Sequence, residues 1–455
     1  MSYLIKFDDI VLYQLPSGEI RSIKVDRKAS ANLGKYGSFP ARELVGKAPG
    51  FTYDIVNGTL VLQPPQTLEE LDDTDANNEM INDGAYVQPL TFDEIEALKK
   101  SGAHASVLFI SFLLYNVLMQ WYVAGHNKEA NRAACNYELK TEYSKDKYKK
   151  RKEAKFSKQV TVIEPTMFNV CDYWFSKDPG RVRVLRPDTL GQILSYGNVQ
   201  SSSRVLVVDD SGGLIIAAVL ERLGGKGRVV AISDCAQAPA YPCVSAMNFS
   251  PKLLEPLVTS LNWAQIEEDW EPGKAPNFLH DYSETPQITT SVDSNPLQRK
   301  LDRESQRVSR RRQMYLVLQA AREELFSGNG MRGLIVASQY EPFSVVEKLV
   351  PYLGGSAHIV VQSPYLQVLT EAQSKMRSQP QYLAPNITES WLRKYQVLPG
   401  RTHPIMSASG SGGYILHTIK IYDNSIAKST LVSERRIQRQ KAAEAKRRKS
   451  SGRDC

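Results

Sequence analysis

SRVLVVDDSGGLIIAAVLERLGGKGRVVAISD, residues 203–234, decides the fold. Its first eight residues (203–210) form an apolar run ending in two acids, the pattern of a strand buried on both faces. Glycines follow, then a helical stretch closed by Gly224 and Gly225. RVVAISD (228–234) is a second apolar strand ending in an acid. Strand, glycines, helix and strand in this order are the frame of a doubly wound α/β fold that takes a nucleotide or S-adenosylmethionine at the strands' carboxyl ends. RGLIVASQ (332–339) and HIVVQSP (358–364) repeat the strand pattern around the helical PFSVVEKLVPYLGG, and GYILHTIKIY (413–422) is expected to add a final edge strand. The polar residues 265–298 read as an inserted loop, and 299–325 as a charged helix with Arg303, Arg307, Arg310, Arg311 and Arg312 in its first half.

The glycine loop departs from the chemistry its frame implies. Methyltransferases place acid-x-Gly-x-Gly-x-Gly there; the aligned residues are Val207, Asp209, Ser211 and Gly213. The acid is a valine, and two glycines are replaced by residues whose Cβ would intrude on a cofactor. Asp209 and Asp210 would also repel the cofactor's carboxylate, while Asp234 remains as a possible ribose acid. After the fourth strand, where adenine methyltransferases hold a catalytic acid or Asn, the chain offers Ser338, Gln339 and Tyr340. The frame is retained and the cofactor site and base are expected to be lost. The alternative is an active methyltransferase with an atypical loop.

Outside this unit, residues 1–64 read as short strands punctuated by SGE, NG and PP, which suits a small β-barrel or sandwich. Residues 66–98 hold ten carboxylates and no Lys or Arg; 65–90 reads as an acidic, mobile linker, followed by a helix start at Thr91 and Glu94. The run 102–125 has no charged residue and is long enough to span a membrane; a buried helix is the alternative. Residues 140–158 hold nine bases against three acids, and 428–455 ten against three, within a formal net charge of +8. Two basic clusters point to a polyanion footprint, or else to a solvated helix face and a tail. The tail's EAKRRKSSGRDC also reads as a nuclear localisation signal. Five cysteines without a CxxC pair, and six histidines without HExxH, support neither a disulfide framework nor a metal site. The opening MSYLIKFDDIVLYQ does not read as a signal peptide. The expected divisions are 1–90 (β domain and linker), 91–158 (helical, basic connector), 159–425 (α/β domain) and 426–455 (tail).

TFDEIEALKKSG (91–102), KTEYSKDKYKKRKEAKF (140–156), YWFSKDPGRVRVLRPDTLGQILSYGNV (173–199), RGLIVASQYEP (332–342), ESWLRKYQVLPGRTHP (389–404) and SGSGGYILHTIKI (409–421) together resemble the non-catalytic subunit of the eukaryotic tRNA adenine-58 N1-methyltransferase. Residues 103–138 depart from that family's amphipathic helix pattern. The resemblance implies a β-barrel-like N-terminal domain and a Rossmann-like methyltransferase fold without cofactor. It further implies a nuclear heterotetramer, two copies each of this subunit and a catalytic subunit that holds S-adenosylmethionine, with tRNA lying across both. A membrane span at 102–125 is discounted on that ground.

A tRNA ligand makes Lys/Arg–phosphate pairs the main source of affinity. The candidates are Lys147, Lys149, Lys150, Arg151, Lys152 and Lys155; then Arg181, Arg183 and Arg186 in PGRVRVLRPD; then Arg393, Lys394, Tyr395, Arg401 and His403 in WLRKYQVLPGRTHP. Tyr395 could stack on an unpaired base. Each arginine could instead form an ion pair, Arg186 above all, since RPDT is also a helix start. SGSGG (409–413) is either a phosphate nest or a tight turn at an interface, the turn being preferred. Pairing with the partner subunit would cover GYILHTIKIY if it is an edge.

Overall fold

The computed structural model describes residues 3–64, 157–235, 239–270, 296–327, 330–397, 402–422, 439 and 441. The acidic linker, the apolar run 102–125, most of the basic connector, the greater part of the 265–298 loop and nearly all of the tail lie outside these residues. Among the described residues no helix is long and apolar enough to cross a membrane.

Six N-terminal strands come first: β1 (Ile10–Gln14), β2 (Ile20–Lys24), β3 (Ser30–Asn32), β4 (Ser38–Pro40), β5 (Thr52–Val56) and β6 (Thr59–Leu62). A seventh, β7 (Gln159–Ile163), joins them from far along the chain. The five-stranded sheet is ordered β2-β1-β7-β5-β6, so its hydrogen-bonded order has two edges, and β3 and β4 form a separate ribbon. Sequence places Gln159–Ile163 at the start of the α/β domain; its antiparallel pairs with β1 and β5 make it the middle strand of the N-terminal sheet. One face of that sheet buries Val11, Tyr13, Tyr53, Ile55, Val160 and Val162 around Phe39 and Leu44.

The α/β unit follows. Its helices are α1 (Met167–Lys177), α2 (Pro187–Tyr196), α3 (Leu214–Leu223), α4 (Pro242–Ala246), α5 (Pro251–Leu257), α6 (Pro296–Phe326), α7 (Pro342–Leu349) and α8 (Leu366–Arg377). Its main sheet is built from β8 (Arg204–Asp209), β9 (Arg228–Ser233), β10 (Val258–Asn262), β11 (Met331–Ala337), β12 (Leu353–Ser363), β13 (Tyr382–Glu389) and β16 (Tyr414–Lys420). Short β14 (Tyr395–Gln396) and β15 (His403–Pro404) make a hairpin. The sheet is ordered β10-β9-β8-β11-β12-β16-β13, with β8 to β12 parallel and β16 antiparallel to both neighbours. The order reverses between β8 and β11, so their carboxyl ends flank the crevice of a Rossmann-like fold.

Burial on both faces explains the continuous apolar strands. Val205, Val207, Ile335 and Ala337 face the core formed with α1 to α4. Leu206, Val208, Leu334 and Val336 face the core formed with α7, α8 and the end of α6. Helix α3 is buried along nearly its whole length, which is why it is apolar all round.

GYILHTIKIY is not the edge its sequence suggests. β16 pairs on one side with β12 and on the other with β13, and β13 is the margin. The missed strand, YLAPNITE, hides its pattern behind Ala384 (φ 47°) and Pro385, where its register shifts; proline is tolerated there because an edge strand has N–H groups the sheet does not use.

Contacts from β1 help to join the units. Leu12 turns away from its own sheet into the α1–α4 core. Asn248, in the left-handed region (φ 53°), accepts from the Ile10 N–H at 2.8 Å and donates to the Ile10 carbonyl at 2.9 Å. Asn248→Leu strands both backbone groups and should cost about 1–3 kcal/mol, read as a lowered denaturant midpoint. An unchanged midpoint would show that water replaces the side chain without loss.

Candidate functional site

The crevice is closed on its cofactor side by the chain's own residues. Asp209, at the end of β8, turns its carboxylate inward and accepts from Ser211 N at 2.7 Å, Ser211 Oγ at 2.5 Å and Ile216 N at 3.0 Å. It thereby caps the N-terminus of α3, where a Rossmann-like fold otherwise binds an anion. Burial pushes the Asp209 carboxyl up, against these hydrogen bonds. Val207 is fully buried within the strand. Gly213 has φ +82°, and a Cβ built on it would come within 2.5 Å of the Tyr241 Cβ. Tyr241 and its neighbours Pro242 and Cys243 are packed against the Gly212–Gly213 turn. Burial pushes the Tyr241 hydroxyl up to about 12, and it sits 3.3 Å from Ser260 Oγ. Asp234, the remaining ribose acid, accepts from the Tyr340 hydroxyl at 3.2 Å. The residues present therefore do not fit S-adenosylmethionine: Tyr241 fills its turn and Asp209 occupies the N–H groups at the start of α3. Sequence reading names Tyr340 only where a catalytic base is missing and does not name Tyr241, since neither belongs to the glycine motif.

The other side of the crevice is built differently. Asp210 accepts from Gln339 N at 2.9 Å. Arg183, from the loop between α1 and α2, is half-buried. Burial lowers its guanidinium's pKa, while the facing Asp210, Tyr365 and Asp209 raise it. Its carbonyl accepts from Gln362 Nε2 at 3.1 Å. Arg183 and Val184 both have positive φ (53° and 59°), a turn that non-glycine residues rarely adopt. Among the described residues no cluster of His, Cys, Asp and Glu converges as a metal site.

The sequence candidates for tRNA contact fall into distinct classes. Lys147, Lys149, Lys150, Arg151, Lys152, Lys155 and Arg401 lie outside the described residues. Arg186 is spent inside the fold. Its five N–H groups donate to both Asp188 carboxylate oxygens (2.6 and 2.7 Å), Ser409 Oγ, the Gly410 carbonyl and the Ser390 carbonyl, leaving none for a phosphate. It clamps the SGSGG segment onto α2, where only glycine fits at 412, since a Cβ there would strike Thr189 Oγ1. Arg183 is half-buried in the loop between α1 and α2. Arg181 is exposed and lies over the Trp174 ring at 4.9 Å, beside Lys177 at 5.2 Å from the same ring. Lys394 reaches Asp172 of α1 at 3.3 Å, which brings the 391–405 hairpin and the Arg181 loop to the same helix. Arg393 is half-buried; Tyr395 and His403 are exposed. The same hairpin exposes Trp391 (82%) and Met406 (91%).

One cationic surface is absent from the sequence candidates. Among the described residues, helix α6 packs through its C-terminal turns, at Leu318, Ala321 and Leu325, and exposes Arg303, Arg307, Arg310, Arg311 and Arg312. Spacing carries the signal: 303, 307 and 311 recur every four residues on one helical face.

Residues 4–119 and 128–298 match the Gcd10p family. The chain belongs to this family. Relatives of the Gcd10p chain bear one name, tRNA (adenine(58)-N(1))-methyltransferase non-catalytic subunit TRM6. That of Debaryomyces hansenii is 28% identical, over 90% of this chain and 85% of the relative. That of Dictyostelium discoideum is 26% identical, over 94% and 81%, and that of Mus musculus 24%, over 89% and 86%. Among solved structures, tRNA (m1A58) methyltransferase TrmI from Aquifex aeolicus is covered over its whole length and aligns with 92% of this chain, at a TM-score of 0.44 and 12% identity.

The Arg186–Asp188 pair has a pH signature. Burial raises the Asp188 carboxyl, but hydrogen bonds from Arg186 and Ser390 and the arginine's charge outweigh it and hold the group below its ordinary range. The folded value being the lower, the pair's stabilisation is complete above the unfolded value of about 3.9 and is lost as pH falls through the folded one. Asp188→Asn should cost about 3 kcal/mol at neutral pH, because it leaves a buried guanidinium without its counter-charge. Denaturant midpoints should show the gap narrowing below about pH 4; a gap that persists at pH 3 would contradict the assignment.

Proposed function

We propose that this chain is the non-catalytic subunit of a tRNA adenine-58 N1-methyltransferase, binding substrate tRNA and presenting it to a catalytic subunit that holds S-adenosylmethionine. The observation that carries this is the closed cofactor side, with Tyr241 on Gly213 and Asp209 on the N–H groups at the start of α3. Ser338, Gln339 and Tyr340 after β11 offer no carboxylate as general base. The names of the relatives and the family membership agree with a silent partner.

Affinity for tRNA would come from cations on two faces. One is the Arg181, Lys177 and Lys394 surface around α1, with Arg393, Tyr395 and His403 on the adjoining hairpin. The other is the arginine face of α6. The basic connector holding Lys147 to Lys155 would add to them. The exposed apolar pair Trp391 and Met406, flanking β14 and β15, suits contact with the catalytic subunit, and the β-barrel-like character of the N-terminal sheet, the two-plus-two assembly and a nuclear location belong to the same proposal.

The test is calorimetric titration of S-adenosylmethionine into the full chain, alone and with the catalytic subunit. The chain alone should give no binding heat, and the pair should bind cofactor and methylate tRNA. Micromolar binding by the chain alone would favour the active methyltransferase instead. In the same complex, the triple variant Arg303→Glu, Arg307→Glu, Arg311→Glu should weaken tRNA binding at least tenfold. It should also flatten the slope of log affinity against log salt by about 2, as lost phosphate contacts require. An unchanged slope would remove α6 from the interface.

A further inference from the structure

Helix α6 is the return arm of the crossover from β10 to β11, and its packed end fixes its direction. Glu324 holds Arg228, the first residue of β9, at 2.9 Å, and the Phe326 ring meets that of Tyr352, just before β12, at 5.5 Å. Both partners lie at the amino ends of the strands. One turn earlier, Arg322 donates to the carbonyls of Gln265 and Glu267, past the carboxyl end of β10, and lies over the Trp270 ring at 4.9 Å. The helix therefore runs against the strands, and its N-terminal part points to their carboxyl ends. Among the described residues Leu318 is the first of α6 in the core, and Arg303 stands about 22 Å back along the axis. Core-facing Leu325, Ala321 and Leu318 continue backwards, in steps of three and four, as Met314, Arg310, Arg307 and Arg303. The arginines thus share the face that α6 turns to the sheet, and they overhang its carboxyl-end rim. None of them pairs with a carboxylate of the described residues.

The second cationic group sits on the same rim. Gln362, next to last in β12, donates to the Arg183 carbonyl at 3.1 Å, and Arg186 donates to the Ser390 carbonyl just past β13. β12 and β13 are both antiparallel to β16, so both present their carboxyl ends here. The loop they hold carries Arg181, and α1, which leads into it, ends in Lys177. These two cations lie over Trp174 and have no carboxylate partner among the described residues. The sheet order spaces the groups. α6 packs beside β10 and the Arg181 loop sits on β12, four strand intervals away, or about 19 Å. The closed crevice opens between them, where the exposed Asp210 and Asp234 repel phosphate. A mononucleotide could reach one flank alone; a polyanionic chain reaches both.

We infer that one RNA molecule lies along the carboxyl-end rim of the main sheet and bridges the mouth of the closed crevice. Its phosphates are held by Arg303, Arg307 and Arg310 at the β10 end and by Lys177 and Arg181 at the β12 end. The inference rests on the tRNA-binding reading and makes its two cationic faces the two ends of a single grip.

Hydroxyl-radical footprinting of end-labelled tRNA is run on the full chain with its catalytic subunit, at saturating protein. Wild type is compared with an arm variant (Arg303→Gln, Arg307→Gln, Arg310→Gln) and a loop variant (Lys177→Ala, Arg181→Ala). All five side chains are exposed and glutamine keeps helix propensity, so the fold is left intact. Wild type should protect two separate stretches of backbone. Each variant should lose one stretch, keep the other, and bind tRNA about tenfold more weakly, because a two-point grip becomes a one-point grip. An unchanged footprint and affinity in either variant overturns the inference while tRNA binding stands. Two tRNA molecules per copy of this chain, counted by native mass spectrometry, also overturn it, since the flanks would then be independent sites. Failure of the wild-type complex to bind tRNA removes the underlying reading instead. A benzophenone carried on Met314→Cys, exposed on the same stripe of α6, checks the arm without removing an arginine. It should label tRNA within the stretch that the arm variant loses; labelling elsewhere, or none, overturns the inference.

Discussion

One carboxylate sets the character of the crevice. A helix that begins just after a glycine turn presents unpaired N–H groups and a partial positive charge, and in a Rossmann-like fold those groups receive the ligand. Here Asp209 receives them first. Being covalently part of β8, it has no translational freedom to lose when it caps α3, so a dissolved ligand competes at a disadvantage. The turn that forms around it places Gly213 where the Tyr241 side chain can close over it. Strand, cap and tyrosine thus support one another, and the same N–H groups that would organise a cofactor organise the fold.

An internal ion pair fixes a second point along the same carboxyl ends of the strands. Arg186 and Asp188 hold the segment that leads into β16, which is therefore drawn in between β12 and β13. Buried ion pairs contribute modestly to net stability, but a fork of five directed hydrogen bonds specifies one arrangement of a glycine-rich segment that has many others open to it. The arginine that looks like a phosphate ligand in a linear chain is a positioning residue in the folded one.

Much of the α/β unit was legible because its strands are buried on both faces and its helices on one or all sides. β8, β9, β11 and β12 are apolar runs, and α3 could not be anything but central. Legibility failed where partners come from far away. YLAPNITE has an Ala-Pro interruption that breaks strand periodicity, so the sequence does not show β13 and makes β16 the margin. Gln159–Ile163 reads equally well as a first or a middle strand, because pairing partners leave no mark on a five-residue pattern. At the crevice, the loss of glycines was visible, but Tyr241, which fills the space, was not, since a side chain's destination is decided by the tertiary fold. Arg186 shows the same limit: its neighbours in sequence named two fates, and only Ser390, Ser409 and Gly410, more than 200 residues on, choose between them.

The position of β7 has a consequence for how the molecule comes into being. The N-terminal sheet has its edges in residues 10–62 and its middle strand at 159–163. At synthesis rates of about 5–20 residues per second, the first six strands leave the ribosome roughly 5–20 seconds before the strand that unites them. Through that interval β1 and β5 present unpaired backbone edges, which are templates for wrong pairing. The nascent N-terminal segment is thus open to mispairing until β7 arrives, and the sheet is completed as the α/β unit begins to be made. Maturation of the two units is coupled through one strand of five residues.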